Sequence, residues 1–196
     1  MTRRDFAVKR TFDLIAAAVG LVILWPLIAV TWYMARRDTS ASGFFRQERI
    51  GRGGKSFRII KLRTMKPMEG TTVTTARDSR ITALGAKFRR YKLDELPQLW
   101  NVLIGNMSFV GPRPDVAGFL DRLEGDDREI LKLRPGITGP ASIRYRDEEE
   151  ILAGVDDPER TNIEVIWPDK VRINREYLNN WSFRQDIKYI LDTLFG

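Results

Sequence analysis

The longest apolar stretch of the sequence runs from Leu14 to Ala35 and contains no charged residue. As a helix, these 22 residues would extend about 33 Å, and the hydrocarbon core of a bilayer is about 30 Å thick. No small-residue cleavage pattern follows the stretch, which argues against a signal peptide. The pattern predicts a membrane-embedded helix.

Two features of this segment argue against a straight span. Pro26 lies near its middle, where proline removes a backbone hydrogen bond and bends a helix. Both flanks are basic, with Arg3, Arg4, Lys9 and Arg10 before the segment and Arg36 and Arg37 after it. The positive-inside bias then favours a cytoplasmic location for both ends. Spanning helices also tolerate proline, so composition leaves a straight span and a hairpin both open.

The rest of the pattern predicts short helices and one β-hairpin. The hairpin strands, Gly43 to Ile50 and Ser56 to Met65, flank a glycine-rich turn. Helical periodicity predicts helices over 81–91, 97–104, most of 116–133, 148–153 and 182–195. Polar and turn-forming residues predict loops over 66–80 and 134–139. We therefore expect an α/β fold class that is mostly helical, with a small β-hairpin.

The C-terminal helix has the clearest signature. Ser182 and Gln185 have the spacing of a capping box. Its apolar stripe consists of Phe183, Ile187, Ile190 and Leu194. We interpret the stripe as core packing, and docking onto a bilayer is the alternative.

Composition narrows the chemistry. The 196 residues include neither cysteine nor histidine, which excludes disulfides, cysteine nucleophiles and the usual zinc sites. Catalysis must use carboxylates, Lys, Tyr, Ser or Thr, and a metal would be a hard ion with oxygen ligands.

Charge is placed unevenly along the chain. The segment from Arg36 to Lys66 carries ten basic residues against two acidic ones, within a formal net charge of +7 for the chain. A basic block that follows a membrane segment indicates binding of anionic lipid or of a phosphate substrate. Nucleic acid is the competing partner, but it gives no reason for the apolar segment, so no nucleic acid is expected.

An acidic pair stands in a basic setting. Asp94 and Glu95 precede a predicted helix N-terminus, where anions are favoured. In the second hairpin strand, Lys61 and Arg63 are two residues apart and project to the same side; a solvated cationic strand face is the alternative interpretation. Adjacent carboxylates can bind Mg²⁺, attack phosphorus or transfer a proton. The pair is the best nucleophile candidate.

Several motifs, in order, resemble the bacterial sugar transferase family, the monotopic phosphoglycosyl transferases. The core of the resemblance is the run LDELPQLWNVL at 93–103 followed by GNMSFVGPRP at 105–114. KLRTM at 61–65, RPGITG at 134–139 and NWSF at 180–183 match further family motifs. Lys92 departs from the family, which usually has a small polar residue at this position.

The resemblance implies an architecture and a location. Residues 1–36 are expected to form a re-entrant helix–break–helix bent at Pro26, and residues 37–196 a compact catalytic domain. The chain would be monotopic in the inner membrane, with the catalytic domain facing the cytoplasm and contacting membrane lipids. The oligomeric state is left open, and a homo-oligomer is compatible with the sequence.

The resemblance also implies an activity and a set of site residues. The reaction is transfer of a sugar-1-phosphate from a UDP-sugar to polyprenyl (undecaprenyl) phosphate with Mg²⁺, releasing UMP, as the first membrane step of glycoconjugate biosynthesis. The nucleophile maps to Asp94, and Glu95 has a proton or metal role. The phosphate-binding residues map to Arg89, Lys61 and Arg63, and the nucleotide-binding turn maps to Pro112, Arg113 and Pro114. The alternative is a non-enzymatic membrane adaptor, which would require neither Mg²⁺ nor an intact acidic pair.

Overall fold

The computed structural model describes residues 1–67 and 79–195 of the chain. It opens with one long helix, α1, at Arg3–Thr39. Thr2 and Asp5 cap its start reciprocally, because each backbone amide donates to the other side chain. Helix α1 is long and apolar enough to cross a membrane, and only 11% of its most apolar 18-residue window is buried inside the protein.

Pro26 lies inside α1, and the helix is continuous through it. Proline removes one backbone hydrogen bond and can bend a helix without ending it, so the predicted bend at Pro26 and the re-entrant topology stay predictions. Both halves of α1 contact the same domain. Ala17 packs with Ile59, Val102 and Met107, and Ala35 packs with Leu62 and Phe88.

The predicted hairpin is confirmed. Strands β1 (Phe44–Ile50) and β2 (Ser56–Leu62) pair antiparallel, with Phe44 opposite Leu62. The turn between them needs its glycines, because Gly53 and Gly54 have φ angles of 70° and 77°.

Helix α2 (Ala83–Arg90) and helix α3 (Gln98–Leu103) confirm two predicted helices. The 3₁₀ turn Leu93–Glu95 lies between them and carries the acidic pair. The predicted loop at 66–80 lies largely outside the described residues.

A parallel strand pair replaces one predicted loop. Strand β3 (Ser108–Val110) pairs with β4 (Gly136–Thr138), so the prediction of a loop over 134–139 is wrong. The glycines of the RPGITG motif allow close backbone approach. An added Cβ at Gly136 would lie 2.2 Å from the Gly111 nitrogen, and one at Gly139 would lie 2.3 Å from the Gly111 oxygen.

The helical prediction over 116–133 is wrong in detail. This segment forms 3₁₀ helices at Leu120–Arg122 and Gly125–Lys132. Gly118 and Gly125 adopt φ angles of 104° and 53°, and such positive values cannot continue a right-handed α-helix.

Helices α4 (Pro140–Arg144), α5 (Glu148–Ala153) and α6 (Pro158–Thr161) follow β4, and a π-helical turn at Asn162–Ile166 leads into α7 (Trp167–Asn179). Helix α5 matches its predicted bounds. Helix α7 has no predicted counterpart, and its buried face mixes Asn174 with Val171 and Tyr177, which interrupts the apolar stripe.

Helix α8 (Phe183–Phe195) confirms the predicted helix but only part of its core stripe. Ile190 packs beside the cluster of Val110, Leu133 and Tyr177. Phe183 and Leu194 are exposed, Leu194 by 67%. The buried residue of this helix is Asp186, which accepts hydrogen bonds from Lys9, Tyr177 and Trp181.

Candidate active site

The acidic pair sits in a turn set by an unusual backbone conformation. Lys92 has a φ angle of 54° and lies in the left-handed region, which costs about 1–2 kcal/mol for a residue with a side chain. The chain then forms the 3₁₀ turn Leu93–Glu95 and enters α3 through Pro97. Asp94 is 8% exposed, so the turn places a carboxylate in a nearly buried position.

Glu95 is held by two cations at one oxygen. Lys61 Nζ lies 3.2 Å from Glu95 Oε1, and Arg113 Nη2 lies 3.4 Å from the same atom. Burial alone would raise the pKa of this carboxyl, but Lys61 and Arg113 outweigh burial and lower the pKa to about 2. Glu95 is therefore a firmly ionised carboxylate that ties β2 to the segment after β3.

Asp94 has the opposite electrostatic character. Burial raises the pKa of its carboxyl and Glu95 adds to the rise, while Lys61 and Arg89 oppose it. Its Oδ1 atom is buried and has no hydrogen-bond partner among the described residues. A buried carboxylate oxygen without a partner is costly to keep, and at a cationic site it is free to attack or to coordinate.

The structure brings Arg89 to the pair but directs Arg63 elsewhere. The Arg89 guanidinium donates to Thr64 Oγ1 at 3.1 Å and contacts Met65 Sδ at 3.3 Å, and its charge acts on Asp94. The Arg63 side chain donates to the Ser42 carbonyl and lies over the Phe45 ring. Within the described ranges, Arg63 forms no ion pair with Asp94 or Glu95.

Asn101 is a positioning residue that sequence reasoning missed. Its Oδ1 accepts from the Ile60 amide at 3.0 Å, and its Nδ2 donates to the Arg58 carbonyl at 2.8 Å. These two bonds fix α3 against β2, and so fix the acidic pair relative to Lys61. Asn101 lies within the LPQLWNVL run, and a polar residue among the apolar residues of that run was the signal that could have identified it.

The Pro-Arg-Pro segment is anchored through its backbone. The Pro112 carbonyl accepts from the Gly136 amide at 2.8 Å, and the Pro114 carbonyl accepts from Arg49 Nη1 at 3.3 Å. Both prolines are buried, whereas the Arg113 side chain is 48% exposed. The ion pair with Glu95 raises the pKa of the Arg113 guanidinium. The turn therefore presents one fixed, accessible cation beside the carboxylate pair.

The donor set tests the expected Mg²⁺ site. Within 1–67 and 79–195, no group of three or more carboxylates has the arrangement of a metal site. Asp94 offers its unpartnered oxygen, while Glu95 Oε1 already contacts two cations. Mg²⁺ commonly binds through one or two carboxylates with substrate phosphates and water as the other ligands. The residues fit such a shared site, with Asp94 as the principal protein ligand.

Comparisons with known proteins give a consistent result. A Bacillus subtilis (strain 168) protein, provisionally named undecaprenyl-phosphate N-acetylgalactosaminyl 1-phosphate transferase, is 40% identical over 156 residues, which are 72% of this chain and 86% of that protein. The UDP-glucose:undecaprenyl-phosphate glucose-1-phosphate transferase of Caulobacter vibrioides is 34% identical, over 95% of this chain and 68% of the relative.

The Escherichia coli (strain K12) protein with the same glucose-1-phosphate transferase name is 33% identical over 95% of this chain. The match covers 39% of that relative, so the relative carries sequence that this chain does not match. The family profile described as Bacterial sugar transferase matches residues 4–196, nearly the whole chain. The chain belongs to the bacterial sugar transferase family.

Proposed function

We propose that this chain transfers a sugar-1-phosphate from a UDP-sugar to polyprenyl phosphate at a membrane surface and releases UMP. The observation that carries the proposal is the buried carboxylate oxygen of Asp94, which has no hydrogen-bond partner among residues 1–67 and 79–195 and lies among Lys61, Arg89 and Lys92. The names of the relatives describe transfer of this kind to undecaprenyl phosphate.

Asp94 acts as the nucleophile in the first step. Its carboxylate oxygen bonds to the β-phosphorus of the UDP-sugar, and the bond from that phosphorus to the bridging oxygen breaks, so that UMP leaves with the electron pair. Two anions approach in this step, and Lys61 and Arg89 offset their repulsion. The sugar phosphate is then bound to Asp94 as an acyl phosphate, a mixed anhydride.

The second step returns the enzyme to its starting state. An oxygen of the polyprenyl phosphate bonds to the same phosphorus, and the bond to Asp94 breaks. The product is a polyprenyl diphosphate sugar, and the Asp94 carboxylate is restored. Because the transfer has two steps, the Asp94 carboxylate and the polyprenyl phosphate each react with the phosphorus in turn at the same small site.

Glu95 holds the site rather than moving a proton. A group whose pKa is about 2 is a weak base near neutral pH, where an effective general base has a pKa close to the working pH. Its two ion pairs position Lys61 and Arg113. Mg²⁺, when bound with the substrate phosphates, would neutralise charge on the departing UMP.

We also propose that both ends of α1 lie on the cytoplasmic side. The Met1 amino group donates to the Leu178 carbonyl at 3.1 Å, and Lys9 pairs with Asp186 in α8. At the other end, Trp32 packs on Phe44. A straight span would carry one end of α1 away from the domain, whereas here both ends dock on it, which supports a re-entrant anchor.

Release of UMP tests the proposed activity. Purified protein is incubated with a panel of UDP-sugars, polyprenyl phosphate and Mg²⁺. We expect UMP and a lipid-linked sugar diphosphate to form in equal amounts from at least one UDP-sugar, and chelation of Mg²⁺ to stop the reaction. Absence of UMP with every donor would contradict the proposal and favour a lipid-binding adaptor.

A further inference from the structure

A half-buried carboxylate beside the active site has no part in the chemistry described above. Asp115 follows the Pro-Arg-Pro turn, and its backbone carbonyl accepts from the Ile50 amide at 2.8 Å. This hydrogen bond fixes the position of the Asp115 backbone relative to β1. Among the described residues the Asp115 carboxylate has charged neighbours but no hydrogen-bond partner.

Three cations act on Asp115, and each is bonded to another group. Arg49 donates to Gln47 Oε1 at 2.6 Å and to the Pro114 carbonyl. Arg113 contacts Glu95. Lys170 contacts both carboxylate oxygens of Glu148, at 2.7 and 2.6 Å.

The acceptor capacity of Asp115 is therefore unused by the protein. Burial raises the pKa of this carboxyl, and Lys170 and Arg49 oppose the rise. A partly desolvated carboxylate with unused lone pairs needs hydrogen-bond donors. Two hydroxyls on adjacent carbon atoms can each donate to one carboxylate oxygen.

Its position relates Asp115 to the donor substrate. Arg113 contacts Glu95 at 3.4 Å, and its charge also interacts with Asp115 and Glu148. Arg113 is thus within electrostatic range of both the acidic pair and Asp115. A UDP-sugar whose diphosphate contacts Arg113 would bring a hydroxyl-bearing ring near Asp115.

We propose that the Asp115 carboxylate accepts hydrogen bonds from a vicinal diol of the sugar-nucleotide donor, in a subsite walled by Lys170 and Glu148. The inference rests on the proposed function. The diol belongs either to the ribose or to the transferred sugar, and these share the same recognition chemistry.

Asp115→Ala and Asp115→Asn test the subsite, with Asp126→Asn as a matched control. Asp126 is a carboxylate whose side chain is 87% exposed and pairs with Arg175. A hydrogen bond to a charged group typically contributes enough to change affinity by about 10- to 100-fold. We expect Asp115→Ala to lower kcat/KM for the UDP-sugar by that factor and Asp126→Asn to leave it unchanged.

Inhibition by UMP identifies the diol. If Asp115 binds the ribose, Asp115→Ala weakens inhibition by UMP, and 2′-deoxy-UMP inhibits the wild type and the variant equally. If it binds the transferred sugar, UMP inhibition stays unchanged while discrimination between epimeric UDP-hexoses falls. Either result supports the proposal.

Three results would act against it in distinguishable ways. Unchanged kcat/KM in both Asp115 variants would overturn the inference alone. Activity lost in parallel with the melting temperature, in Asp115→Asn as well, would show a structural role and also overturn it. A wild-type protein that releases no UMP from any UDP-sugar would instead remove the proposed function on which the inference rests.

Discussion

Two adjacent carboxylates in one turn have opposite electrostatic environments, and the roles that we propose for them rest on this difference. Glu95 shares one oxygen between Lys61 and Arg113, whereas Asp94 keeps a buried oxygen without a partner in the described part of the chain. An ion-paired carboxylate stabilises the fold. A desolvated carboxylate without a partner is destabilised in its ionised form, which makes it more reactive.

Replacing Asp94 with Asn should abolish turnover and stabilise the fold at neutral pH. The pKa of Asp94 is raised in the folded state, so ionisation at neutral pH opposes folding, and a neutral amide removes that penalty. We expect a gain of about 1 kcal/mol and a melting temperature about 2–4 °C higher in detergent. The gain should disappear as pH falls below 3.8, the ordinary pKa of Asp. A lower melting temperature at neutral pH would contradict this account.

Replacing Glu95 with Gln should have the reverse effect. A folded pKa of about 2 against an ordinary 4.5 corresponds to about 3 kcal/mol of stability. That stability is fully present above pH 4.5 and is lost as pH falls through about 2. Denaturant melts of Glu95→Gln at neutral pH should show a loss of that order. Glu129→Gln, at an exposed ion pair, is the control and should change stability by less than about 1 kcal/mol.

At the scale of elements, the parallel pair β3–β4 holds the Pro-Arg-Pro turn through close backbone contact. An added Cβ at Gly111 would lie 2.2 Å from the Arg134 carbonyl oxygen, so a side chain would force the strands apart. Gly111→Ala should therefore destabilise the fold by about 3 kcal/mol and weaken UDP-sugar binding. Gly154→Ala is the matched control, because its nearest atom is 3.6 Å away. Equal melting temperatures for the two variants would refute the role of Gly111.

The sequence predicts local elements better than contacts between distant segments. The hairpin, α2, α3 and α5 follow from glycine, proline and apolar spacing. The pairing of β3 with β4 joins segments more than 20 residues apart, and two three-residue strands show too little alternation to predict it. Asp186 shows a second limit of prediction from sequence. The apolar stripe predicts that apolar residues of this helix are buried, but its buried residue is the charged Asp186.

At the scale of the whole molecule, α1 is both the proposed membrane anchor and a packing partner of the domain that carries the candidate site. Sequence reasoning took Lys9 and Arg10 as part of the basic flank that favours a cytoplasmic location for the start of the apolar segment. In the structure, Lys9 is buried against Asp186, and Arg10 donates to the Val102 and Leu103 carbonyls at the end of α3. Cations stabilise the C-terminal end of a helix, so the anchor directly supports the helix that follows the acidic pair.

The topology of α1 can be tested with single cysteines, because the chain has none of its own. Cysteines at Thr2 and Asp38 should react with a membrane-impermeant maleimide from the same side of sealed vesicles. Pro26→Ala restores a backbone hydrogen bond and should shift a fraction of molecules towards a straight span. If the two single-cysteine variants that retain Pro26 are labelled from opposite sides, the re-entrant anchor is excluded.

The central claim is that the Asp94 carboxylate carries the sugar phosphate before the lipid acceptor binds. Intact-protein mass spectrometry after incubation with UDP-sugar and Mg²⁺, without polyprenyl phosphate, tests it most directly. We predict an added mass of one sugar phosphate, stoichiometric release of UMP, and neither in Asp94→Asn. Failure to trap this adduct, together with UMP release that requires both substrates, would contradict the claim and leave Asp94 as a metal ligand in a direct transfer.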